Sequence, residues 1–110
     1  MPTDRDQATV LDMVMAARRI LEFKSGMDYE AFEDDAKTQS AIIHQVLVLG
    51  EASKRLSEDY RSAHREIPWS STARMRDKMI HHYDIIEPRE VWEAAETDIP
   101  ALLAQLEALL

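Results

Sequence analysis

Apolar positions along this chain recur with a helical period almost throughout. Between residues 4 and 24, Val10, Met13, Val14, Ala17, Ile20 and Leu21 fall at i, i+3, i+4, i+7 spacing, and Asp12, Arg18, Arg19 and Glu22 take the other faces. The spacing predicts an amphipathic helix, capped by Thr3 or Asp4 and stopped at Gly26 by a left-handed residue. Residues 27–35 are acidic, with Tyr29 and Phe32 three apart. They predict a short helical turn pinned by two rings, with Glu30, Glu33, Asp34 and Asp35 on a solvated face.

A second long helix is predicted from about Asp35 to Asp59. Its stripe of Ile42, Ile43, Val46, Leu47, Leu49 and Leu56 is wide enough to be buried on more than one side. Gly50 lies inside it, where glycine costs roughly 1 kcal/mol relative to alanine. Close approach of a second helix is the natural reason for a glycine there. Tyr60 to Ile67 reads as a connector. Pro68 then suits the first turn of a third helix, where its missing N–H would have been unpaired anyway, and that helix should run to about His82. The last helix begins near Glu87 and Pro88 and continues through Val91, Trp92, Ala95, Ile99, Leu102, Leu103, Leu106 and Leu110, with Pro100 expected to kink or split it. Trp69 and Trp92, near the starts of these helices, read as core anchors. The prediction is an all-α, up-and-down bundle of four to five helices in one domain, residues 1–110.

Composition narrows the chemistry. The 110 residues suit one domain, and 45% hydrophobic with 31% charged residues is an ordinary globular balance. The absence of cysteine excludes a disulfide scaffold, a thiol nucleophile and a thiolate metal site. Two glycines leave no phosphate-cradling loop, and Ser40, Ser53 and Ser57 lack a nucleophile elbow. The apolar stretch Ala41 to Gly50 is too short to span a bilayer, and the charged start MPTDRDQ carries no secretory pattern. A cytoplasmic location without membrane association is expected. A helical domain this small commonly completes its core against a second copy about a two-fold axis.

The net charge of −8 is unevenly spread. From Lys54 to Arg89 eight basic residues face six acids, a balance of +2, while the rest of the chain stands at −10. His64, His81 and His82 fall in the same window, so an anionic ligand should meet the protein there. Within it, MRDKMIHHYDII puts Arg76 and Tyr83 seven residues apart, two turns on one helical face. His81 lies five residues beyond Arg76, about 140° around the axis, and four beyond Asp77, whose carboxylate could orient the imidazole.

Arginine is a planar bidentate phosphate clamp, histidine suits proton transfer near neutrality, and tyrosine offers a hydroxyl that positions a phosphate or accepts a modification. The set fits RNA phosphodiester cleavage without a metal. It equally fits a structural role, with an imidazole on a carbonyl and a guanidinium in an ion pair. The adjacent pair His81 and His82 sits about 100° apart on a helix and does not complete a zinc set with Asp77. His44, beside an apolar run, reads as a core or interface residue.

The segment Arg76-Asp77-Lys78-Met79-Ile80-His81-His82-Tyr83 resembles the R-x-x-x-x-H-x-Y signature of HepT-like proteins in the HEPN superfamily of prokaryotic toxins. Leu49-Gly50-Glu51-Ala52 with Arg55-Leu56 is similar to the family's IGEA..RL segment. Ile67-Pro68-Trp69 resembles its entry into the motif helix, and Val91-Trp92 with Asp98-Ile99-Pro100 and the leucine-rich tail resembles its C-terminal helix. The likeness covers roughly residues 40–110, the first helix agreeing only in character.

It implies an all-α protomer that forms a homodimer or higher even oligomer through the motif helix. It also implies a metal-independent endoribonuclease toxin of a type VII-like HepT/MntA pair, needing no cofactor. Arg76 and His81 carry over as catalytic residues, and Tyr83 as the hydroxyl to which an MntA-like nucleotidyltransferase antitoxin transfers AMP. The partners implied are RNA and that antitoxin. The alternative is a non-catalytic helical binding subunit of a minimal nucleotidyltransferase.

Overall fold

In the computed structural model, which describes residues 4–110, every regular element is helical. Helix α1 spans Asp4–Lys24, α2 Tyr29–Glu33, α3 Ala36–Arg55, α4 Glu58–Ala63, α5 Trp69–His81 and α6 Pro88–Glu93. A π-helical turn, Ala94–Asp98, joins α6 to α7, Ile99–Glu107. None of these helices is long and apolar enough to cross a membrane.

The predicted stripes are the core. Val10, Met13, Val14, Ala17 and Ile20 of α1 meet Ile42, Val46 and Leu49 of α3, and Val91, Ala95, Ile99, Leu102 and Leu106 close the far side. Side-chain ties fix the directions. Asp6 at the start of α1 meets Ser57 just past the end of α3. Arg18 pairs with Glu107, and Lys24 with Glu96. Adjacent long helices therefore run antiparallel, as an up-and-down bundle requires. Helix α7 packs on α1, α1 on α3 and α3 on α5, in a body 46 × 28 × 19 Å, and α5 and α7 face each other across an open groove. Among the described residues α3 is the long helix that α5 contacts extensively.

Local chemistry sets the boundaries. Gly26 adopts φ 78° and ends α1 as expected. Of the two expected caps, Asp4 is the first residue of the helix, and Thr3 lies outside the described residues. Asp28 caps α2 through the Ala31 N–H, and Asp35 caps α3 through the N–H and hydroxyl of Thr38. Those hydrogen bonds hold the Asp35 carboxyl below its usual range. Tyr29 and Phe32 pack on Trp92, at ring-centroid distances of 6.1 and 5.2 Å, and pin α2 to the body.

Two boundaries differ from the prediction. The second long helix stops at Arg55 rather than Asp59, and part of the expected connector is helix α4. The cause is tertiary: the Asp6 carboxylate accepts from the Ser57 N–H and hydroxyl, both at 2.9 Å, and Ser57 in turn caps α4 by accepting from the Tyr60 N–H. A helix continued through Leu56 and Ser57 would lose these bonds; Leu56 is instead extended, with ψ 144°. At the other end, the interruption expected at Pro100 takes the form of a π-helical turn, Ala94–Asp98, that divides α6 from α7 without a break in the helical run. A proline ring clashes with the carbonyl four residues before it, here Glu96. The widened turn, closed by the Ile99 N–H on the Ala94 carbonyl, accommodates the ring without a break.

Candidate functional site

The motif residues sit where α5 crosses α3. A Cβ built on Gly50 would fall on the Cβ of Arg76 and lie 2.6 Å from its Cγ. Arg76 is thus the residue whose close approach the glycine permits. Its side chain is only 20% exposed. Nη2 pairs with Glu51, one residue on from the glycine. Nη1 donates to Asp77 Oδ1 at 2.9 Å, and the same oxygen accepts from Lys54 Nζ at 3.0 Å. Two cations and two carboxylates make a locally neutral cluster. Hydrogen bonds from Lys54 and then from Arg76 hold the Asp77 carboxyl below its usual range. The Arg76 Nε is buried and has no partner among the described residues.

His81 is the last residue of α5, and its side chain is exposed. Its imidazole has no hydrogen bond or ion pair among the described residues. The expected support from Asp77 does not form, because Lys54 and Arg76 engage that carboxylate instead.

Tyr83 lies past the helix end. The His82 N–H bonds the Lys78 carbonyl and the Ile85 N–H bonds the His82 carbonyl, so the chain turns away from helical geometry before Tyr83. The two-turn, one-face argument linking Arg76 to Tyr83 therefore does not apply. The turn still leaves Tyr83 beside α3, lining an apolar groove of about 370 Å³ with Ile43, His44, Leu47 and Ile80. Tyr83 is 71% exposed and Ile85 69%.

Sequence reasoning missed one part of this arrangement. Glu51 enters as the ion-pair partner of Arg76, although it adjoins a glycine already marked for close approach. Of the two places expected for His44, the core is excluded: it is exposed on α3, in the groove with Tyr83. Trp69 and Trp92 behave as anchors: the Trp69 indole donates to the His64 carbonyl at 3.0 Å, and Trp92 sits beneath Lys24. Among the described residues no three His, Asp or Glu side chains gather in a set that could hold a metal ion.

The arrangement joins a guanidinium in a fixed place to an imidazole open to solvent, five residues apart on one helix. The rise between them is about 7.5 Å, a span that one phosphodiester and its sugar can bridge.

Comparison with known proteins places the chain in a family. A family model described as "Ribonuclease HepT-like" matches residues 13–109. A protein of Thermococcus cleftensis named "Probable ribonuclease HepT" is 42% identical over 98 residues, which are 89% of this chain and 89% of the relative. A "Putative RNase" of Methanocaldococcus jannaschii is 34% identical over 110 residues, 100% of this chain and 91% of the relative. Another, from Caldanaerobacter subterraneus, is 34% identical over 91 residues, 83% and 81% of the two chains. No solved structure matches the chain.

Proposed function

The chain belongs to the HepT-like ribonuclease family, and on that footing we propose that it is a metal-independent endoribonuclease acting through Arg76 and His81. The exposed imidazole of His81, one and a half turns beyond a guanidinium fixed on α3, is the observation that carries this reading. His81 takes the proton from a ribose 2′-hydroxyl. The 2′-oxygen attacks the adjacent phosphorus, and the bond from phosphorus to the 5′-oxygen breaks. A protonated imidazole returns a proton to that leaving oxygen, so the products are a 2′,3′-cyclic phosphate and a 5′-hydroxyl end. Arg76 stabilises the charge that accumulates on the non-bridging oxygens.

We read the working unit as a homodimer formed through α5. Support comes from the lack of a second long helix against α5 and from the exposed Tyr83 and Ile85 beside an apolar groove. A two-fold partner would supply the second wall of a cleft and cover Ile85 and the apolar floor of the groove, with the Tyr83 hydroxyl left at the cleft mouth.

In the same reading the protein is the toxin of a toxin–antitoxin pair, and Tyr83 is its off switch. The phenol oxygen of Tyr83 attacks the α-phosphorus of ATP held by a nucleotidyltransferase antitoxin. Pyrophosphate leaves, the phenolic proton passes to a base, and AMP remains on the ring. The exposure of Tyr83 supports access by such an enzyme, and the added negative charge would repel RNA.

The neutral Arg76 cluster gives one reason to keep a second reading, in which the chain is a non-catalytic subunit that only binds a nucleotidyltransferase. Controlled expression of the wild type beside His81→Ala and Arg76→Ala separates the two. The ribonuclease reading expects growth arrest and RNA fragments with cyclic phosphate ends from the wild type alone, with both variants still dimeric. Intact RNA with the wild type, or full toxicity from both variants, overturns it.

A further inference from the structure

Beyond the motif, two arginines without a carboxylate partner among the described residues, Arg61 and Arg65, lie toward the opposite end of α5. There an open concavity of about 550 Å³ is bounded by Lys54 at the end of α3, Arg61 on α4 and Arg65 in the loop after it. Glu58 is the one acid on its wall. Neither Arg61 nor Arg65 has a carboxylate partner among the described residues, and the Arg61 Nε is buried without any partner. In a chain of charge −8, two unpaired arginines facing one acid, with Lys54 beside them on Asp77, are a local reversal of the protein's field.

The concavity is continuous with the motif. Its wall includes Ala73. Ala73, Asp77 and His81 are spaced four apart and so lie along one ridge of α5. Lys54 joins the two regions, lining the concavity while its ammonium rests on Asp77. From Ser70 on that wall to His81 the helix rises about 16 Å, several nucleotides of a strand. A further source of positive potential adds to the cations: α5 starts at Pro68, which supplies no side-chain cap.

We propose that the Lys54, Arg61 and Arg65 concavity is a phosphate subsite, gripping the RNA strand several nucleotides from the linkage placed at Arg76 and His81. The proposal rests on the ribonuclease reading for the identity of the strand, but binding at the subsite does not need cleavage. The subsite sets how strongly a strand is held and how its binding depends on salt, while the motif does the chemistry.

The test is binding of a fluorescein-labelled single-stranded RNA 12-mer to the full-length chain carrying His81→Ala, followed by anisotropy from 50 to 200 mM KCl. Each phosphate contact contributes about 0.7 to the salt slope on a single strand. Arg61→Ala/Arg65→Ala should flatten the slope by about 1.4 and weaken binding about tenfold or more at 100 mM salt. The exposed Arg65→Ala alone should give about half that change in slope, which covers the case of a poorly folded double variant. Arg61→Lys/Arg65→Lys should recover most of the affinity. Arg18→Ala/Arg19→Ala, removing equal charge from α1, should leave binding within about twofold.

An unchanged slope in the Arg61 and Arg65 variants, an equal loss in the α1 control, or no RNA binding at all overturns the subsite. Should the wild type cut no RNA while the Arg61 and Arg65 losses appear as stated, the subsite stands and the ribonuclease reading falls.

Discussion

Gly50 of α3 and Arg76 of α5 occupy one point of the helix crossing, the glycine supplying the space that the arginine's Cβ and Cγ fill. Because the stem of Arg76 is seated there, its guanidinium emerges over Glu51 on the next residue of α3. A backbone vacancy on one helix thus decides where a charge is presented on another.

Gly50→Ala tests that relationship. Helix propensity alone would make alanine stabilising by roughly 1 kcal/mol. The overlap with Arg76, whose Cβ is close to its own backbone and cannot swing aside, should instead cost about 1–3 kcal/mol as α5 is pushed off α3. Urea denaturation decides between the signs, and a variant more stable than wild type would mean the crossing is looser than described.

Glu51→Gln leaves the Arg76 cluster with a surplus positive charge where it is now balanced. Single-stranded RNA should bind several-fold more tightly, since affinity for phosphates follows local cations. The ion pair is half-exposed on the glutamate side, so the melting temperature should hardly change. Binding measured on the His81→Ala background would show the shift, and unchanged affinity would remove Glu51 as a brake on Arg76.

Asp6→Asn removes the carboxylate that receives the Ser57 N–H and hydroxyl at 2.9 Å. Asp6 is 3% exposed, and hydrogen bonds to a charged group are worth about 1.5–3 kcal/mol. A loss of that order is expected in urea titrations. Amide exchange should rise first across α4, whose start depends on Ser57. Uniform exchange without a local effect would contradict the capping role.

The Asp77 carboxyl is held below its ordinary value of 3.8, first by Lys54 and then by Arg76. A folded-state value lowered in this way contributes stability above the unfolded pKa and loses it as pH falls through the folded one. The melting-temperature difference between wild type and Asp77→Asn should therefore stay constant from pH 7 to about 5 and close only below about pH 4. A difference that already shrinks near pH 6 would point to another group.

Tyr83→Phe keeps the exposed ring and deletes only the hydroxyl. Purified with a cognate nucleotidyltransferase, the wild type should gain the mass of AMP at Tyr83, and the variant should gain none and escape neutralisation. An adduct of the same mass on the variant would relocate the acceptor.

Much of the molecule was legible in the chain because helical period is a local property. The buried stripes of α1 and α3, the stop at Gly26, the Pro68 start of α5 and the reason for Gly50 all follow from spacing and from what single residues permit. The motif residues were singled out by side-chain type and interval, and their proposed roles come from the family resemblance. The surroundings of those residues were decided by contacts between distant segments, which no periodicity encodes. Asp6 ended α3 early and set α4; the fold of α3 onto α5 gave Arg76 to Glu51; and the helix end at His81 freed Tyr83 from the face it was assigned. Spacing along one helix fixes direction around an axis, but the partner a charge finds depends on which other helix the core brings alongside it.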